Sequence, residues 1–103
     1  MQVGATERVY ASWMTDVMPP SVLVLGRDTC EDTIRSNALL AQRGIPFRYL
    51  KVDEDPVADA WMRRLNEGEW RTPTILIGAP ESPDAILREP SDPDLLAALG
   101  ISA

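Results

Sequence analysis

Apolar positions along this chain switch between two periods, and the switches mark its elements. Residues 22–26 (VLVLG) form a continuous apolar run ending at a glycine, which suits a strand buried on both faces of a sheet. A short turn, Arg27-Asp28-Thr29-Cys30, leads into a stretch running to about Arg43. There Ile34, Ala38 and Ala41 recur at helical spacing, with Leu39 or Leu40 widening the face. Asp28 or Thr29 is placed to N-cap this helix, and Gly44 to end it. Residues 47–52 (FRYLKV) alternate and carry aromatics, the pattern of a second strand. Asp55-Pro56 reads as an N-cap followed by proline in the first turn, and Val57, Trp61 and Leu65 then fall on one helical stripe that Asn66-Glu67-Gly68 closes.

Residues 74–77 (TILI) predict a short β-branched strand. A turn-rich loop over 78–84 follows, and residues 85–87 (AIL) return as a short antiparallel strand. Asp92-Pro93 starts a last helix carrying Leu95, Leu96 and Leu99, stopped by Gly100. Ahead of all this, Val9, Tyr10, Trp13, Met14 and Val17 recur at helical spacing behind Thr6, and Pro19-Pro20 closes the segment. The reading is a helical extension over residues 1–20 and one domain over 21–103, with strand-like alternation the competing reading of the extension. The domain's order is β-α-β-α-β-β-α. Two strands joined by a helix imply a right-handed parallel crossover, and the close final pair implies a hairpin. The fold class is therefore α/β, a four-stranded mixed sheet flanked by helices, with an extra helix in front.

Composition narrows the chemistry more than the fold. The chain has 103 residues, no histidine and one cysteine. That excludes a Ser-His-Asp triad, histidine metal ligands, an internal disulfide and a C-x-x-C dithiol. Any thiol chemistry runs through Cys30 alone. The net charge of −6 argues against nucleic acid as a partner. No apolar run approaches the roughly 20 residues of a membrane span, so no membrane is expected either. Asp16 and other polar residues interrupt the first 20 positions, so no signal peptide is expected there. With a lone cysteine, this makes a reducing cytoplasm the expected compartment.

Cys30 falls where a buried strand feeds a helix N-terminus. Unpaired backbone N–H groups and the positive end of the helix dipole favour a thiolate there. Arg27, three residues earlier, could add positive charge. Asp28, Glu31 and Asp32 oppose ionisation if they point toward the sulfur. They serve equally well as caps and first-turn acids if they do not. An isolated cysteine is also commonly a small buried hydrophobe. Position alone leaves the reactive and structural readings evenly balanced.

The ordered set GRDTCEDT, RTPTILI and LREPSDPDLL resembles the glutaredoxin family over about residues 21–99, and most of all its mycoredoxin branch, where a proline-serine pair like Pro90-Ser91 also precedes the last helix. The resemblance implies a thioredoxin-like fold. It implies that Cys30 is the nucleophile and that Arg27 contacts the carboxylate of a small-thiol cosubstrate. It implies that Thr72, before a cis-proline at Pro73, pairs its backbone with the bound thiol. Ser91 and Asp92 fall where the family binds the γ-glutamyl end of glutathione, and Arg71 flanks the same groove. Thr33 occupies the second motif cysteine's position, which removes the dithiol route. It either donates a hydrogen bond to the sulfur or simply continues the helix. Glu31 and Asp32 replace the motif's usual aromatic or proline, and Arg88-Glu89 replaces a common Gly-Gly pair. The latter change disfavours classical glutathione binding, and matters less for mycothiol, which has no γ-glutamyl end. Relatives that bridge an iron–sulfur cluster favour a C-G-F-S motif, so no metal and no resident cofactor are expected.

Two functions follow. In one, the protein is a monothiol oxidoreductase that reduces mixed disulfides between S-thiolated proteins and a small thiol, glutathione or mycothiol. One cysteine suffices for that exchange. In the other, it is a redox-weak binding or adaptor module on the same fold, with Trp13 and Met14 in a docking element.

Overall fold

In a computed structural model, residues 21–101 are described. The expected extension over residues 1–20 lies outside them. The chain order is β1 (Val22–Gly26), α1 (Glu31–Gln42), β2 (Arg48–Lys51), α2 (Pro56–Leu65), β3 (Thr74–Ala79), β4 (Ser82–Arg88) and α3 (Asp92–Ala98). The strands lie in the order β2-β1-β3-β4. β1 and β2 are parallel, while β3 is antiparallel to both β1 and β4. This is the mixed four-stranded, thioredoxin-like sheet expected of the sequence.

Alternation along the strands divides the core into two layers. Val22, Val24, Ile75 and Ile77 meet Leu40, Ile45 and Leu95 on the face covered by α1 and α3. Leu23, Leu25 and Leu76 meet Ala58 and Met62 of α2 on the other, with Trp61 and Leu65 alongside. Every residue of β1 is buried, which is why its sequence is apolar without interruption.

Four local expectations are corrected. The N-cap of α1 is Cys30 itself, rather than Asp28 or Thr29, and no side chain caps it. The inner face of α1 is Thr33, Ser36 and Leu40; Ile34 is 53% exposed, and Ala38 and Ala41 face solvent. The cause is a close approach of helix to strand. A Cβ on Gly26 would lie 2.6 Å from Thr33 Oγ1, so α1 seats Thr33 on that glycine and the other faces turn with it. On α2, Ala58 and Met62 are buried and Val57 is 74% exposed, one position from the expected stripe. The loop expected over 78–84 is shorter, because Ala79 pairs with Ser82 across a two-residue turn at Pro80-Glu81, with the register shifting between Ile77 and Gly78.

The helix starts that were local in the sequence formed as expected. Asp55 accepts from the backbone N–H groups of Val57 and Ala58, with Pro56 in the first turn. Ser91 accepts from Asp94 N at the start of α3.

Candidate active site

β1 ends at Gly26, and the turn Arg27–Thr29 brings the chain round so that Cys30 N donates to Arg27 O at 3.2 Å. Cys30 then opens α1, half-buried, with its carbonyl accepting from Ile34 N. Its Sγ lies 3.4 Å from the carbonyl oxygen of Thr72, to which the thiol donates. Thr72-Pro73 is a cis peptide bond, as the resemblance implied.

Burial of the sulfur pushes the Cys30 thiol pKa up, but hydrogen bonds to the thiolate outweigh it and the net shift is downward. The donors are the side chains of Thr72 and Thr33 and the backbone N–H groups of Thr33 and Asp32. In the thiol form Thr33 Oγ1 has no hydrogen-bond partner, so ionisation supplies an acceptor for a hydroxyl otherwise orphaned in the core. All but the Thr72 hydroxyl are first-turn groups of a helix, used here on a sulfur.

The acidic neighbours have partners of their own. Asp28 accepts from Tyr49 Oη at 2.9 Å and pairs with Lys51 Nζ at 2.9 Å; these contacts, Lys51 first, hold its carboxyl below the usual range. Burial, and then this bond to Asp28, pushes the Tyr49 phenol far above its ordinary pKa, so it stays a neutral donor. Asp32 pairs with Arg35 at 2.8 Å. Glu31 is exposed.

Arg35, which the sequence reading passed over, joins α1 to α3. Besides Asp32 it donates to Asp92 Oδ1 at 3.0 Å and to the Pro90 carbonyl at 2.7 Å. The i,i+3 spacing of Asp32 and Arg35 was the one signal available for it. Asp32, Arg35, Glu89, Ser91 and Asp92 line an open cleft of about 440 Å³. Arg71 is ion-paired with Glu89. Thr33 and Thr72 thus meet the Cys30 sulfur, with Pro73 following Thr72 across the cis bond, while Ser91 and Asp92 line the cleft beside Arg35. Arg27 turns elsewhere: its guanidinium carbon lies 5.6 Å from the Trp70 ring centroid, and its Nε is buried without a partner. Trp70, also passed over, stacks with Arg63 as well and donates to Asp59 at 2.6 Å. Among the described residues, no cluster of three or more cysteine, aspartate or glutamate side chains could hold a metal ion. None of the described helices is long and apolar enough to cross a membrane.

A single cysteine at the first turn of α1, facing a cis-proline that opens the third strand, defines a thioredoxin-like thiol site. The glutaredoxin family model matches residues 22–79, over half of the chain, and the chain belongs to the glutaredoxin family. Among solved structures it is similar to the solution structure of glutaredoxin from Brucella melitensis, with a TM-score of 0.54, 25% sequence identity and 77% of each chain covered. No curated protein matches it. Together the family and the neighbour support a glutaredoxin-like redox function.

Proposed function

We propose that the protein is a monothiol member of the family, of the mycoredoxin kind, and that Cys30 alone carries its exchange chemistry. The Cys30 thiolate attacks the small-thiol sulfur of a protein mixed disulfide. The protein's sulfur leaves with the bonding pair and takes a proton, and Cys30 keeps the small thiol as a mixed disulfide. A second small thiol, as its thiolate, attacks the sulfur of the bound one. This releases the oxidised small-molecule disulfide and restores the Cys30 thiolate. The observation that carries this reading is the placement of Cys30 at the start of α1, where no side chain caps the helix, with its Sγ 3.4 Å from the Thr72 carbonyl beside the cis Thr72-Pro73 bond; the downward net shift of its pKa agrees with that placement. The acidic motif and the missing second cysteine both speak for a redox-weak module, and the first of these loses force with Asp28 and Asp32 engaged by Lys51, Tyr49 and Arg35.

The neighbouring charges favour a neutral, polyhydroxylated thiol such as mycothiol over glutathione. Arg71 is already paired with Glu89, and Arg35 with Asp32 and Asp92. A cosubstrate carboxylate would have to displace a resident carboxylate. A neutral thiol would not.

Wild type and Cys30→Ser are to be assayed on protein mixed disulfides of mycothiol and of glutathione. Loss of turnover in Cys30→Ser and a higher kcat/KM for mycothiol are expected. Equal turnover by both proteins would overturn the monothiol reading. A preference for glutathione would overturn the choice of thiol alone.

A further inference from the structure

Three successive carbonyls of the loop before β3 each accept one hydrogen bond. Arg71 O accepts from Thr74 Oγ1 at 2.6 Å, Thr72 O from Cys30 Sγ at 3.4 Å, and Pro73 O from Glu89 N at 2.8 Å. The middle bond is the one that involves the sulfur, and the first is held from the core. Thr74 is fully buried, and its hydroxyl accepts from Asn66 Nδ2 at 3.1 Å while donating to Arg71 O. Asn66 is 8% exposed, and its other contacts are Nδ2 to Met62 O at 2.9 Å and Oδ1 from Arg88 Nε at 2.7 Å. Arg88 also donates to Leu65 O at 3.0 Å.

Both polar ends of the Asn66 amide are therefore engaged, and the orientation is fixed because a guanidinium can only donate. The amide ties together the end of α2, the start of β3 and the end of β4. Apart from that knot, Thr74 is paired with Leu25 and with Arg88 in the sheet. What the knot adds is a fixed Arg71 carbonyl, hence a fixed chain direction into Thr72.

We propose that Asn66 and Thr74 are positioning residues for the exchange at Cys30, the buried Asn66 amide acting through the Thr74 hydroxyl to hold the Thr72 peptide and side chain opposite the sulfur. This rests on the reading of Cys30 as the exchanging thiol. Neither residue touches the sulfur or a bound thiol. Their effect reaches the sulfur through Thr72, which offers it a carbonyl in the thiol state and a hydroxyl in the thiolate state.

Thr74→Val keeps the β-branched shape and removes the hydroxyl; Thr74→Ser keeps the hydroxyl. The readouts are the pH midpoint of Cys30 alkylation by iodoacetamide and kcat/KM on a mycothiol mixed disulfide, each on protein shown to be folded by circular dichroism. Thr74→Val is expected to raise the midpoint toward that of an ordinary thiol and to lower kcat/KM by up to about a hundredfold, the scale of a group displaced by about 1 Å. Thr74→Ser is expected to restore both. A Thr74→Val protein that melts earlier but keeps the wild-type midpoint and kcat/KM has lost only a structural bond, and overturns the proposal. Should Thr74→Val not fold, Arg88→Met decides. It releases Asn66 Oδ1 from an exposed strand end, and it is expected to move both readouts in the same direction. No movement would overturn the proposal. The Cys30→Ser assay separates the two claims: turnover equal to wild type there refutes the monothiol reading, while the alkylation midpoints of the Thr74 and Arg88 variants still test the coupling to the sulfur.

Discussion

Gly26→Ala drives a methyl group into Thr33. The added Cβ would lie 2.6 Å from Thr33 Oγ1, 2.7 Å from Cγ2 and 3.2 Å from Cβ. Carbon atoms in contact sit about 3.5–4.0 Å apart, so helix and strand must separate by about 1 Å. Thr33 is 1% exposed, and has no solvent to swing into. Overpacking of this kind costs about 1–3 kcal/mol, and each kcal/mol lowers Tm by about 4–8 °C in a domain this small. The expected loss is about 5–20 °C by thermal circular dichroism. Thr33→Ala alone removes a buried methyl and a hydroxyl that has no partner in the thiol form, at about 1 kcal/mol. In the double variant the clash has gone, so the two losses should fall short of their sum by about 1–2 kcal/mol. The Cys30 alkylation midpoint should rise in Gly26→Ala, because Thr33 is a donor to the thiolate. A Gly26→Ala protein melting within about 2 °C of wild type, or strict additivity in the double variant, would refute the close approach as the cause of the α1 orientation.

Glu89 occupies a left-handed backbone conformation, φ 50°, that costs a side-chain-bearing residue about 1 kcal/mol or more. Its pairing with Arg71 is exposed and returns less, so Glu89→Gly should raise Tm by a few degrees. It should also free Arg71 and improve kcat/KM for glutathione mixed disulfides relative to mycothiol ones; a Tm below wild type would refute the strain argument. With no histidine, no side chain of ordinary pKa titrates between about pH 5 and 8, so the denaturant-measured stability of Cys30→Ser should be flat there. Below this plateau stability should fall as pH drops through the depressed pKa values of Asp28 and Asp59, because the unfolded chain takes up those protons first. Asp28→Asn and Asp59→Asn should flatten that acid limb, and an unchanged limb in both would refute the assignment. On the alkaline side, the depressed Cys30 pKa stabilises the fold increasingly as pH climbs past it toward the unfolded-chain value. The stability gap between wild type and Cys30→Ser should therefore widen over that window.

The legible parts of the fold were those decided locally. β1 is apolar throughout because it is buried on both faces, and Asp55-Pro56 starts α2 because capping needs only the next few N–H groups. The face of α1 was not legible. Ile34, Ala38 and Ala41 made the more hydrophobic stripe, yet Thr33 and Ser36 went inside, beside Leu40 from the expected face. That choice belongs to Gly26, seven residues upstream on another element, which admits only a compact side chain against it. Helical periodicity reports which residues share a face. Which face turns inward is settled by the closest contact in the tertiary structure. The turn at Pro80-Glu81 was missed for a related reason, since pairing of Ala79 with Ser82 is supplied by the hairpin and not by the propensity of 78–84.

The site divides along the same line. Cys30 at a helix start and Thr72-Pro73 before a strand were visible as positions in a linear order. The direction of Asp28 was not, because its partners, Tyr49 and Lys51, come from β2, and the one local signal for Asp32 was its i,i+3 spacing to Arg35. Three carboxylates within two residues of a sulfur look like an obstacle to ionisation when only the sequence is considered. In the folded chain, two of them neutralise cations on their own or neighbouring elements, and Arg35 carries Asp32 into a bridge that ends on Asp92 and Pro90. The backbone N–H groups of the first turn remain free for Cys30, since no side chain caps the helix. A side-chain cap at Asp28 or Thr29 would have competed with the sulfur for those donors. The acidity of the motif and the missing cap therefore act together: the acids tie α1 to β2 and α3, and the helix end is left to the thiolate.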